Sequence, residues 1–92
     1  MNQQKIIELI SKGETEKGIE FILQDEIGSF PPFKQEAIIL LSSRINSLKK
    51  KYHLGIVTSE QYEVDRTKIS LDLLQLIRTL NDDDFEQGLN RN

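Results

Sequence analysis

Arg44 and Arg66 are the residues whose type and position most demand a chemical partner. Wound at about 100° per residue, the sequence sets Arg44 among Leu40, Leu41 and Leu48, and Arg66 among Tyr62, Ile69 and Leu73. A charge left unpaired in an apolar stripe is costly, so each guanidinium must either reach solvent along its stem or take a carboxylate. If a hairpin places Tyr52 beside Tyr62, Arg44 comes level with Ser70 and within reach of Asp72, with Asp65 as the second candidate. The chemistry on offer is ion pairing, either at the edge of a core or across a self-association contact.

Other reactive residue types form no catalytic set. His53 is the one histidine, at a helix end beside Tyr52, where an imidazole ordinarily faces water. Glu16 and Glu20 lie on a surface face with no implied cleft, and one histidine with scattered carboxylates has no metal-ligand spacing. Neither cofactor nor metal is expected, and the chain does not read as an enzyme. Lys49, Lys50 and Lys51, with Arg44, Tyr52 and His53, make the one candidate nucleic-acid footprint. That is three lysines in a chain of pI ≈ 5.1 without a recognition-helix pattern. Membrane binding fits less well, since the polar helix faces mix charges and tryptophan is absent.

These residues are positioned by helices. Apolar spacing and punctuation predict an all-α, four-helix domain over residues 1–80. The first helix is expected from Gln3 to Lys12, ending at Gly13. The second runs from Thr15 to Ile27, ending at Gly28, with Ile19, Ile22, Leu23 and Ile27 buried. Proline at 31 and 32 interrupts the pattern but suits a first helical turn. A third helix then runs from Pro32 or Phe33 to Leu54, with Ile38, Leu41, Ile45, Leu48 and Tyr52 inward, and Gly55 stops it. Thr58 with Gln61 has capping-box spacing for a fourth helix reaching Leu80. The last two helices, about 22 residues or ~33 Å each, are expected to pair as a long antiparallel hairpin. The fourth carries a second apolar stripe, Val64 and Leu71 with Leu74 beside it, which the first two helices or a partner must cover.

With 92 residues the chain holds one domain, and at this size folding buries only roughly 60–65% of the unfolded surface. It has no cysteine, so disulfides and thiolate metal sites are excluded. No apolar run approaches a membrane span, and the first residues lack the order of a signal peptide, so a soluble cytoplasmic protein is expected. The net charge is −3. Residues 81–92 account for it, with Asp82, Asp83, Asp84 and Glu86 against Arg91, and are expected to form a disordered acidic tail. Among the rest, residues 1–36 are acidic while Arg44 and Lys49 to Lys51 are basic, a dipolar surface able to steer association.

The strings ILLSSRINSLKKKYHLGIVTSEQY and VDRTKISLDLLQLI, preceded by LISKGETEKGIEFIL, resemble effector-associated domain subtype eleven, a small helical module of bacterial conflict systems. The likeness spans Ile6 to Leu80. Ile45, Thr67 and Gly18 depart from it, where tyrosine, asparagine and alanine are expected. Arg44, Asn46, Gly55, Tyr62 and Arg66 carry over, as structural or interface residues. The resemblance implies a non-catalytic adaptor that couples sensor and effector proteins by like-with-like association, either alone or as part of a longer chain. Its expected partner is a related module or a second copy. The expected contacts are Phe21 and Ile39, apolar residues outside the main stripes, with Lys49 to Lys51 meeting Glu16, Glu20 or Asp25 of another copy.

Overall fold

The computed structural model describes residues 2–79. Its order is α1 (Gln3–Ser11), α2 (Thr15–Phe21), α3 (Pro32–His53) and α4 (Ser59–Arg78), with no strand among the described residues. Asn2 caps α1, its side chain accepting from the Lys5 amide at 3.1 Å. Gly13 and Gly55 both take positive φ, 78° and 74°, as the turns ending α1 and α3 require. Around Gly55 the Ile56 amide bonds the Lys51 carbonyl and the Gly55 amide that of Tyr52. Glu14 with Leu9 and Gly13 with Ile10 repeat the pattern, so both helices end in the same left-handed turn.

The second helix departs from the expected span. After Phe21 it widens into a π turn over Ile22–Glu26 and tightens into a 3-10 turn over Ile27–Ser29. Gly28 is not left-handed. The reason lies downstream: Pro31 disfavours the helical region at Phe30, which is extended at φ −94° and ψ 144°. The altered winding turns Ile27 and Phe30 toward the same core as Ile19 and Ile22, and Phe30 is buried there. Pro32 then occupies the first position of α3, where its missing amide costs nothing.

Helices α3 and α4 form the hairpin. Tyr52 stacks on Tyr62 with centroids 4.3 Å apart, Arg44 meets Asp72, and Lys34 reaches the end of α4, so the two helices run antiparallel. At the start of α4 the Thr58 hydroxyl accepts from the Gln61 amide at 3.1 Å. The Gln61 side chain donates forward to Asp65 at 2.9 Å, so only half of the expected capping box forms.

The core is the seam of this hairpin, closed from one side by α1 and α2. Ile6, Ile19, Ile22 and Phe30 meet Ile38, Leu41, Ile45, Leu48, Ile69, Leu73 and Ile77. The second stripe of α4 is not closed as expected. Leu74 is half-buried, but Val64 and Leu71 stay 49% and 59% exposed. α1 and α2 follow the seam, where branched side chains from both long helices meet them, and do not wrap the outer edge of α4. Leu80 and the acidic tail lie outside the described residues.

Gly18 is buried within α2, and an added Cβ would meet Ile10, Leu73 and Leu9 at 3.8–3.9 Å, ordinary contact distances. Gly18→Ala is therefore expected to stabilise the fold by about 0.5–1 kcal/mol through helix propensity. Leu73→Ala, at a fully buried position, should cost about 2–5 kcal/mol. Urea unfolding of both variants measures these changes.

Candidate interaction surface

Glu16 is the junction of three helices. Positioned by the first turn of α2, its carboxylate accepts from Arg66 of α4 and lies 4.0 Å from Lys49 of α3. The same Arg66 nitrogen donates to the Gly13 carbonyl at 2.6 Å, fixing the α1–α2 turn to α4. Burial acts to raise the Glu16 carboxyl, but the Arg66 hydrogen bond and the charges of Arg66 and Lys49 outweigh it and hold the group below its ordinary value. Burial also acts to lower Arg66, and the Glu16 hydrogen bond and charge reverse this, keeping the guanidinium charged. Beside this junction the buried Thr15 hydroxyl meets Ser70 at 2.6 Å. Ser70 gives its own proton to the Arg66 carbonyl, which leaves Thr15 as the donor.

Arg44 lies on the other side of the hairpin. Its Nη1 donates to Asp72 at 2.7 Å, with both side chains about half exposed. Asp65 pairs with Gln61 instead. The bridge stands between two clefts lined by α3, α4 and the residues joining them, with no residue of α1 or α2. One, of about 380 Å³, has walls of Ala37, Leu40 and Leu76. The other, of about 440 Å³, includes Lys51, Val57, Asp65 and Lys68.

The remaining expected contact residues are distributed unevenly. Ile39 is 56% exposed. Phe21 is not an outward apolar residue: it is half-buried against the core, with the Lys5 ammonium 4.8 Å from its ring centroid. Lys49 lies 4.0 Å from Glu16 of the same chain, and Lys50, Lys51, Glu20 and Asp25 are exposed. Asn46 is exposed beside Lys49 in a shallow cleft between α2 and α3.

Besides the Glu16 partner of Arg66, three features were missed from the sequence. Lys34 is 3% exposed, its ammonium donating to the Leu76 carbonyl at 3.2 Å and the Thr79 hydroxyl at 2.7 Å, where a cation suits the carboxyl end of α4. Its position four residues before Ile38, on the same stripe, was the available signal. The Thr15–Ser70 bond was the second. The third is the pair Leu54 and Ile56, each 66% exposed on either side of Gly55.

Because folding lowers the Glu16 pKa, its contribution is complete above the ordinary carboxyl value of 4.5 and is lost as pH falls through the folded value. Glu16→Gln should cost about 1–3 kcal/mol at neutral pH, and its deficit relative to the wild type should shrink on acidification below about 4.5. A double-mutant cycle on the exposed Arg44–Asp72 pair should give only about 0.2–1 kcal/mol. Urea unfolding at several pH values measures both.

Among the described residues no group of three or more His, Cys, Asp or Glu is placed to hold a metal, and no helix is long and apolar enough to cross a membrane. No curated protein and no solved structure matches the chain. The family profile of effector-associated domain 11 does match, over residues 1–81, a span that includes all four helices, the Glu16 junction and both clefts. The four-helix chain with its long α3–α4 hairpin belongs to the effector-associated domain 11 family.

Proposed function

We propose that this chain is a non-catalytic adaptor module that couples sensor and effector proteins of a bacterial conflict or defence system by homotypic association in the cytoplasm. One observation carries the reading beyond family membership. The exposed large hydrophobics among the described residues, Phe33, Ile39, Leu40, Tyr52, Leu54, Ile56, Val64 and Leu71, all belong to α3, α4 and their connection, and none to α1 or α2. Scattered apolar residues are normal on any surface. Confinement of all of them to one half of a small domain is the pattern of a surface kept for a partner.

Charge is divided in the same way. Residues 2–30 carry six carboxylates against three lysines, with Glu20 and Asp25 exposed, and the hairpin carries the basic excess, with Lys50 and Lys51 exposed. Opposite signs on two parts of one molecule favour encounter between like modules and set their orientation more than their affinity. Ile39 and the adjacent Leu40 lie on the solvent side of α3, within the apolar half, and form the centre of the proposed contact.

Light scattering over a concentration series tests the reading. The wild type should gain mass with concentration, or bind a related module from a sensor or effector. Ile39→Glu should weaken that association at least about tenfold, the effect of losing one well-packed contact, with helicity and thermal midpoint unchanged. A domain that stays monomeric at high concentration and binds no related module overturns the proposal. A salt-sensitive complex with duplex or single-stranded nucleic acid, in place of protein association, would do the same.

A further inference from the structure

The outward face of α3 carries opposite charges at equal distances from a small residue. Glu36, Ser43 and Lys50 follow one another at seven-residue spacing and so share one line along the helix. Ile39 and Leu40 flank that line on the turn before Ser43, and Asn46 and Ser47 flank it on the turn after. All of these residues are exposed, Ile39 at 56% and Leu40 at 64%. The face points away from the core, which α3 reaches through Ile38, Leu41, Ile45 and Leu48.

Neither charge is answered within its own helix. No cation stands three or four residues from Glu36 and no carboxylate three or four residues from Lys50, the spacings at which helical ion pairs form. The ion pairs among the described residues include neither side chain. The two lie fourteen residues apart, ~21 Å along the helix and too far to meet each other.

We propose that α3 of one copy packs antiparallel against α3 of a second about a two-fold axis at Ser43, with Glu36 of each copy pairing with Lys50 of the other. This rests on the association reading above and names its geometry. Charge selects the occupant. Reversing an identical face brings each carboxylate level with an ammonium, so both pairs form at once. A parallel arrangement sets Glu36 against Glu36 and Lys50 against Lys50, which like-charge repulsion disfavours. At the centre the small serine side chains let the helices approach. Ile39 then lies level with Ser47 of the second copy and Leu40 with its Asn46, and apolar surface is withdrawn from water on both sides of the axis.

The contact is isologous: both copies use the same patch, and association stops at the dimer. One helix against one helix is smaller than a standard stable interface. The dimer is therefore weak alone and gains strength where the proteins that carry the modules hold several together.

Charge exchange provides the test. Glu36→Lys turns both pairs into contacts between cations, and Lys50→Glu turns both into contacts between carboxylates. Each variant alone should dimerise at least about tenfold more weakly than the wild type. The double variant restores both pairs with their signs reversed and should dimerise as the wild type does, and an equimolar mixture of the two single variants should form the heterodimer. Light scattering at low salt reads the masses, with the wild type levelling off at twice the chain mass. Both positions are exposed, so folding is retained, with circular dichroism as the check. Ser43→Cys, in a chain without cysteine, should cross-link to a dimer under oxidised glutathione much faster than Thr67→Cys, at an exposed position of α4. The two-fold contact is wrong, while the association reading stands, if the wild type grows past the dimer, if the single variants associate as well as it does, if the double variant and the mixture stay monomeric, or if position 43 cross-links no faster than position 67. The same holds for a chain that binds a related module but never itself. A wild type that does neither removes both readings.

Discussion

The fold depends on the burial of two helices that are too short to exist without it. α1 has nine residues and α2 seven before its winding changes, well below the ~12–15 at which an isolated helix becomes even marginal in water. They are held by the seam of the α3–α4 hairpin, into which Ile6, Ile19 and Ile22 insert. The dependence is mutual. Seen from the hairpin, Ile38, Ile45, Leu73 and Ile77 would face water without α1 and α2, and a chain this small has no spare apolar burial to offset that exposure.

Polar contacts then determine how the short helices sit on that seam. Hydrophobic burial is indifferent to small slides along a groove, whereas Glu16 between Arg66 and Lys49, and Thr15 on Ser70, are satisfied in one arrangement only. Thr15 is fully buried, so a slide that broke its bond would leave a hydroxyl without a partner in the core. Lys34 does similar work at the far end, joining the start of α3 to the last turn of α4. The exposed Arg44–Asp72 bridge contributes little to stability by comparison. It stands between the two clefts of the hairpin.

One-sided coverage of the hairpin divides the molecule into two unlike halves. The side closed by α1 and α2 spends its apolar residues on the core and shows water an acidic, polar exterior. The rest of the hairpin keeps eight large hydrophobics exposed, with lysines at its turn. Among the described residues the hairpin carries open clefts along its helices. The adaptor reading follows from that division of surface together with the family to which the chain belongs.

How much of this was legible in the sequence varies with the distance over which each feature is decided. Helix identity, the glycine stops at Gly13 and Gly55 and the antiparallel hairpin follow from local rules: apolar spacing of three and four, the conformational freedom of glycine, and a connection too short for anything but a reversal. The π and 3-10 turns after Phe21 were not legible, because they arise from a compromise between Pro31 and the core that receives Phe30. Nor was the partner of Arg66. Helical periodicity places Glu16 on a surface face of its own helix and says nothing of which neighbour that face meets. Phe21 and Leu71 make the same point in opposite directions, since each projects from its main stripe, yet Phe21 is partly covered by α1 while Leu71 stays 59% exposed among the described residues. The sequence by itself determined the helices and their pairing, because those depend on neighbours within a few residues. Tertiary structure alone decided which apolar and charged residues remain for a partner, because that depends on where two short helices come to rest.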